Sequence, residues 1–324
     1  MKRTLVLLVS VVLVIVAILA AMLAFGTKPP PTPLASVSEP MRAIDYSDLP
    51  PRLTYTARDG QTLSYRRYFG TGPRTVILIH GLSGESGTMH ALAKALHAEG
   101  MMVYAPDLRG HAHDGKSGDI GYVGQLDEDL IDLVRQIGAS AQHGCLTLIG
   151  HSSGGGFALR IADGPYGNSF DRYVLLSPAL AYDAPTARPG TGGWAAPFVP
   201  RIVALKLLNR LGVTAFNGLP VIAFAVTAKS QAELTGSYSY RLLGNFSVPA
   251  DYLAKLREVR KPIALLVGAD DELFHAERYA PLLQSILPSL QIRIVPGVGR
   301  MGMILRPAAL AAILDAMPSD ACRG

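Results

Sequence analysis

Residues 146–162 constrain this chain more than any other segment. An apolar run over 146–149 feeds Gly150-His151-Ser152-Ser153-Gly154, and residues 155–162 continue as a helix. A G-x-S-x-G sequence between a strand and a helix describes a tight turn that holds a serine hydroxyl clear of the backbone, a nucleophile elbow. Glycines beside the serine let neighbouring backbone approach closely. The bland alternative is an accidental match, and the flanking strand and helix patterns weigh against it.

The rest of the chain supplies a sheet on which such a turn can stand. Residues 53–56 and 63–69 read as a hairpin closing at Asp59-Gly60, a strong turn dipeptide. Further strands are predicted over 75–79, 102–104, 173–176, 263–267 and 291–295, and helices over 88–98, 125–137, 276–286 and 307–316. In the second helix Leu126, Leu130, Leu133, Val134 and Ile137 share one face, while Asp127, Glu128 and Asp129 complement the N-terminal end of the dipole. Alternating strands and helices predict an α/β fold, a mostly parallel sheet with helices on both faces. The rhythm breaks over about 179–250, where Pro and Gly separate Trp194, Phe198, Phe216, Phe224, Tyr238, Tyr240 and Phe246. This block reads as an inserted lid. Its stretch 201–211 is mostly apolar, with Lys206 and Arg210 on one face. Such a helix suits an acyl pocket or a membrane surface, with ordinary packing against the body as the plain alternative.

Hydrophobic residues make up 49% of the 324 and charged residues 17%, which suits a large core and excludes a disordered chain. Residues 51–324 fit one α/β domain. Lys2, Arg3 and Lys28 supply three of the formal net charge of +5. No dense basic run interleaved with aromatics gives a nucleic-acid footprint. Cys145 and Cys322 have no His or Cys neighbours at metal spacing and are expected to be unpaired. Gly154-Gly155-Gly156 lacks the lysine of a phosphate-binding loop. Neither a metal nor a cofactor is expected.

Residues 4–27 carry no charge, and 5–25 are almost wholly apolar. At 1.5 Å per residue this run extends about 31 Å, enough to cross the hydrocarbon core. The apolar part of a secretory signal is shorter, about 7–15 residues, although residues 17–21 offer small side chains for cleavage. A retained transmembrane anchor over 1–27 is the expectation. Lys2 and Arg3 precede it, which places the N-terminus in the cytoplasm and the following domain outside, periplasmic in a bacterium. Residues 28–50, opening with Pro29-Pro30-Pro31-Thr32-Pro33, read as a stiff linker.

Four motifs then occur in order. They are Leu78-Ile79-His80-Gly81-Leu82, Pro106-Asp107-Leu108-Arg109-Gly110-His111, the elbow, and Gly268-Ala269-Asp270-Asp271-Glu272. Together they resemble the α/β-hydrolase family over residues 51–317, in particular the branch of lysophospholipases, monoacylglycerol lipases and serine aminopeptidase-like members. The resemblance implies a hydrolase of a carboxylic ester, lipid-like in view of the anchor, working through an acyl-enzyme. It implies Ser152 as nucleophile, the amides of Leu82 and Ser153 as the oxyanion hole, and a triad acid at Asp271, with Asp270 as the alternative. His80 and His111 are expected to hold loops, His151 to point away from the attack site, and His90 and His113 to be solvated.

Triad order in this fold is Ser, acid, His. No histidine follows His275, and Val298-Gly299-Arg300-Met301-Gly302 carries an arginine where the family has the base. Arginine offers five donors and no acceptor and stays protonated. Three explanations stand side by side: a nearly inactive relative that keeps ligand binding, recruitment of another histidine such as His275, or an isolated variant. A hydrolase-fold binding or scaffolding protein is therefore the alternative to the enzyme.

Overall fold

The computed structural model describes residues 2–111, 117–138, 144–189, 194–226 and 234–317. Helix α1 (Lys2–Phe25) is followed by α2 (Ala35–Arg42). The hairpin β1 (Arg52–Thr56) and β2 (Thr62–Tyr68) comes next, then β3 (Arg74–Ile79), α3 (His90–Ala98), β4 (Met102–Pro106), α4 (Gln125–Gln136), β5 (Cys145–His151), α5 (Ser153–Ala162) and β6 (Arg172–Leu176). An insertion holds β7 (Ala195–Pro197), α6 (Val199–Arg210), β8 (Pro220–Phe224), β9 (Ser237–Ser239), α7 (Tyr240–Asn245) and α8 (Tyr252–Lys255). The chain closes with β10 (Ile263–Gly268), α9 (Tyr279–Leu283), β11 (Gln291–Val295) and α10 (Pro307–Asp315).

The main sheet has the order β1-β2-β4-β3-β5-β6-β10-β11. Pairing is antiparallel at β1–β2 and β2–β4 and parallel from β4 to β11. Every residue of β5 and β6 is buried, as expected of strands covered on both faces. Alternate residues feed two cores. Ile77, Ile79, Leu148 and Leu175 join α4 and α5 on one face; Val76, Leu78, Ile149 and Val174 join α3 and α10 on the other. The expected mostly parallel α/β sheet is therefore present, and the turns holding Leu82, Ser152, Asp271 and Arg300 follow the carboxyl ends of its parallel strands, the usual ligand side of such sheets.

Several local expectations are corrected. The insertion is more regular than its sequence suggests, since β7, β8 and β9 make an antiparallel sheet of their own. Tertiary pairing, rather than periodicity, makes these strands of three to five residues. The helix expected over 276–286 is a 3₁₀ turn, Ala276–Arg278, followed by the single-turn α9. Residues 35–42, expected within the linker, form α2 and bury Val37 against the body. His90 is buried rather than solvated: Tyr68 Oη lies 2.8 Å from its Nδ1, Asp48 Oδ1 3.0 Å from its Nε2, and Tyr46 stacks on its ring. His113 lies outside the described residues. Cys145 is disulfide-bonded, against the expectation of two unpaired cysteines; Cys322 lies outside the described residues.

Candidate active site

Strand β5 ends in the elbow, and the glycines there are required by contact. A Cβ on Gly150 would stand 1.9 Å from the Gly154 carbonyl oxygen, and one on Gly154 would stand 2.4 Å from the carbonyl oxygens of both Ile79 and His80. No side chain fits either place. Ser152 is held at φ 61° and ψ −122°, outside the regions L-residues favour, at a cost of order 1–3 kcal/mol. Its amide donates to Leu176 O at 2.8 Å, and its carbonyl accepts from Ala179 N at 2.8 Å and Gly155 N at 3.0 Å. These bonds join β5, β6 and α5 around one strained residue.

The loop after β3 lies against the serine. A Cβ on Gly81 would come within 3.1 Å of Ser152 Cβ. Leu82 and Ser153, the residues on either side of this contact, have amide N–H groups with no acceptor among the described residues. The next residue, Ser83, has φ 63° and is tied to the insertion. Its amide donates to Tyr238 Oη at 2.7 Å, its hydroxyl to Thr235 O at 2.5 Å, and its carbonyl accepts from Thr235 N at 3.1 Å. Tyr238 Oη lies 2.5 Å from His111 Nε2. His111 Nδ1 lies 2.9 Å from Leu108 O, so Nδ1 carries the proton and Nε2 accepts from the tyrosine. Burial and neighbouring His80 push the His111 imidazole down to about 3, and burial lowers His80 as well. Both histidines are therefore neutral loop anchors. Sequence reasoning placed Tyr238 only among the aromatic residues of the insertion; nothing local to it announces its bond to Ser83.

The other members of the Asp107-to-His111 motif are structural too. Asp107 accepts from Ser86 N at 2.7 Å, Ser64 Oγ at 2.6 Å and Arg52 Nε at 2.9 Å. Arg109 pairs with Asp129 at 2.7 Å and Asp59 at 2.9 Å, tying the loop to α4 and to the hairpin turn.

Asp271 follows β10 and is almost fully buried. Its Oδ1 accepts from the amides of Leu273 and Phe274, each at 2.9 Å, leaving Oδ2 to face the cation at Arg300. Asp270 is exposed and lines an outer groove instead. Arg300 follows β11 and is itself buried. Glu272 Oε2 accepts from its amide at 3.0 Å, and His151 Nε2 lies 3.2 Å from its carbonyl oxygen. Burial, aided by the Arg300 charge, pushes the His151 imidazole down to about 3; it is neutral and donates to that carbonyl. From this fixed backbone the guanidinium reaches inward. Nη2 donates to Ser152 Oγ, Nη1 stands 3.5 Å from Asp271 Oδ2, and the group lies 4.3 Å from the centre of the Phe274 ring.

Ser152, Asp271 and Arg300 thus meet, with Arg300 between acid and serine where a triad base would stand. His275 does not join them; its Nδ1 lies 3.1 Å from Glu277. A cavity of about 640 Å³ opens beside Ser152 and Arg300, bounded by Leu82 and Leu273 of the body, by Trp194 of the insertion and by Val37 and Met41 of α2. No group of three or more metal-ligating side chains occurs among the described residues.

The family model of serine aminopeptidase, S33, matches residues 72–298. Monoacylglycerol lipase of Mycolicibacterium smegmatis is 34% identical over 114 residues, which are 34% of this chain and 40% of that protein. Lipase LipV of Mycobacterium tuberculosis is 27% identical over 236 residues, 72% of this chain and 85% of that one. The chain spans only 35–40% of the length of the first curated relatives it matches. Among solved structures, a soluble variant of the monoglyceride lipase of Saccharomyces cerevisiae aligns at a TM-score of 0.64 with 18% identity, covering 84% of this chain and 96% of that one. A bacterial membrane phospholipase A aligns at 0.58 with 20% identity over the full length of both chains. By the family match, and by a sheet and elbow of the required form, this chain belongs to the serine aminopeptidase S33 family of the α/β-hydrolases.

Proposed function

We propose that the chain is a membrane-anchored serine hydrolase of lipid-like carboxylic esters whose turnover is held down by Arg300. In this reading Ser152 Oγ bonds to the ester carbonyl carbon, the amides of Leu82 and Ser153 stabilise the oxyanion, the serine proton leaves with the alcohol, and water hydrolyses the acyl-enzyme to the free acid and Ser152. Asp271 is the acid whose intact partner would be a histidine. The observation that carries the reading is Ser152 itself, strained at φ 61° between β5 and α5 with two unpaired amides beside it. A guanidinium in the base position supplies charge but no proton acceptor. Loss of the base in a serine hydrolase costs on the order of 10⁶ in turnover, with roughly 10³–10⁴ over water retained from binding and the oxyanion hole.

Anchoring rests on α1, whose 24 residues are long and apolar enough to cross a membrane. The end of α1 touches the insertion, where Arg201 Nε donates to Leu23 O at 2.7 Å. Val199, Val203 and Leu207, one helical turn apart on α6, are exposed beside it, a stripe suited to a bilayer surface. The disulfide at Cys145 agrees with an oxidising, extracytoplasmic compartment.

Labelling of Ser152 by a fluorophosphonate, followed by turnover of medium-chain p-nitrophenyl esters, tests the proposal. Slow labelling in the wild type and fast labelling in Arg300→His are expected. A second reading, a binding protein on a hydrolase fold, is favoured by the hydrogen bond from Arg300 to Ser152 Oγ. It requires a probe-silent protein in both forms.

A further inference from the structure

The hydrogen-bonding groups around Ser152 are unbalanced. Ser152 Oγ accepts from Arg300 Nη2, so its own proton must point elsewhere, and no acceptor for it occurs among the described residues. In an intact triad the histidine takes that proton. Here the amides of Leu82 and Ser153 also lack acceptors, and Arg300 Nη1 is buried without a hydrogen-bond partner. Ser152, Leu82, Ser153 and Arg300 thus each hold a donor without an acceptor among the described residues, and Asp271 Oδ2, also without a hydrogen-bond partner there, stands 3.5 Å from the guanidinium. Buried donors left unmade are costly, each on the order of 1–3 kcal/mol. A ligand that brings two acceptor oxygens and one negative charge relieves that cost.

The charge balance points the same way. A neutral imidazole beside Asp271 leaves a triad site with one negative charge, which repels an anion. Arg300 cancels that charge. The cavity wall adds Arg66, which is buried, donates to Ser86 Oγ at 3.0 Å and to the Pro50 carbonyl, and makes no ion pair with a carboxylate among the described residues. Arg52 beside it pairs with Glu85 at 2.7 Å and Asp107 at 2.9 Å, so the two arginines offset the two carboxylates and this wall does not repel an anion. Val37 and Met41 of α2 with Leu49, Trp194, Leu273 and Ile304 give the wall an apolar part, while Ser38, Arg42 and Thr88 add polar groups. At about 640 Å³ the cavity falls within the size range of small-molecule sites.

We propose that this cavity is a receptor for a medium-chain aliphatic carboxylate, its head accepting from Ser152, Leu82, Ser153 and Arg300 and its tail lying under α2. The proposal rests on the reading of Ser152 as the ligand-binding centre but does not require turnover. An ester carbonyl offers one uncharged acceptor to the same donors; the acid offers two that share a charge, and Arg–carboxylate contacts are among the stronger hydrogen bonds.

Calorimetric titration of the full chain in nanodiscs with decanoate, decanol and decyl phosphate tests this. Decanoate is expected to bind with one-to-one stoichiometry and at least tenfold more tightly than decanol. Arg300→Gln should reduce decanoate to the level of decanol, whereas Arg300→Lys, which keeps the cation, should retain most of the preference. Equal binding of acid and alcohol, or full decanoate affinity in a folded Arg300→Gln protein, overturns the proposal, as does tighter binding of decyl phosphate. Decanoate binding that depends on Arg300, with no esterase gain in Arg300→His, supports the receptor and removes the hydrolase. An esterase gain with no decanoate binding in the wild type does the reverse.

Discussion

Arg300 donates a hydrogen bond to Ser152 Oγ while its other terminal nitrogen stands 3.5 Å from Asp271 Oδ2. The guanidinium therefore stands between the two residues, as the histidine does in a Ser-His-Asp triad. Its backbone is fixed from both sides, by Glu272 at the amide and by His151 at the carbonyl, so the side chain is presented to the serine by a rigid frame. A histidine at this position would start from the same backbone.

The elbow glycines carry a stability prediction. Gly154→Ala places a methyl 2.4 Å from two carbonyl oxygens of β3 and its loop, and backbone cannot yield as a flexible side chain can. A loss of about 3 kcal/mol or more, or failure to accumulate folded protein, is expected. Urea denaturation followed by circular dichroism measures it; a variant as stable as the wild type contradicts the geometry.

Tyr238 joins the insertion to the loop after β3. Tyr238→Phe removes the acceptor of the Ser83 amide and the donor to His111 Nε2 together. A loss of about 1–3 kcal/mol is expected from the buried groups left unpaired. In an Arg300→His background kcat should fall more than KM rises, because the adjacent Leu82 amide loses its fixed orientation. Unchanged kcat with lowered stability would leave Tyr238 a purely structural residue.

Protonation of the buried histidines gives a pH dependence of definite sign. His111 and His151 titrate near 6.5 when unfolded and at about 3 in the fold. Between those values the unfolded state binds more protons, so stability is full above pH 6.5 and falls as pH drops toward 3. The slope is about 1.4 kcal/mol per pH unit for each histidine. Replacing His151 by Gln, which keeps a donor for the Arg300 carbonyl, should flatten the dependence between pH 6 and 4 by one proton. Chemical denaturation at pH 7, 5.5 and 4.5 gives the comparison, and parallel slopes in the two proteins refute it.

The disulfide at Cys145 predicts a redox-dependent stability. Reduction is expected to cost the wild type about 2–4 kcal/mol, and Cys145→Ala should lose its response to reductant. Identical melting of the wild type with and without dithiothreitol contradicts the bond.

What the sequence discloses divides by distance along the chain. The turn at Ser152 is legible because its demands are local, with glycines two residues either side of a serine between a strand and a helix. The sheet is legible because β5, β6 and β10 are continuous apolar runs. The absence of a histidine after His275 is also plain, and the geometry adds that Arg300 itself reaches the serine. Features made by distant partners are not legible. Tyr238 and Ser83 are 155 residues apart, and His90 is buried by Asp48 and Tyr46 from a segment read as linker. Helix α2, with a proline inside it, has little helical signal of its own and owes its place to packing beside residues 301–304. The sheet of the insertion escapes notice because strands of three to five residues carry little periodicity.

In the proposed function, position 300 limits a serine hydrolase that is otherwise assembled. The most direct measurement is kcat/KM of full-length Arg300→His on a medium-chain p-nitrophenyl ester, beside the wild type and the double variant Ser152→Ala/Arg300→His. The account predicts a gain of at least about 10³ over the wild type, abolished in the double variant. A folded Arg300→His protein with wild-type activity contradicts it.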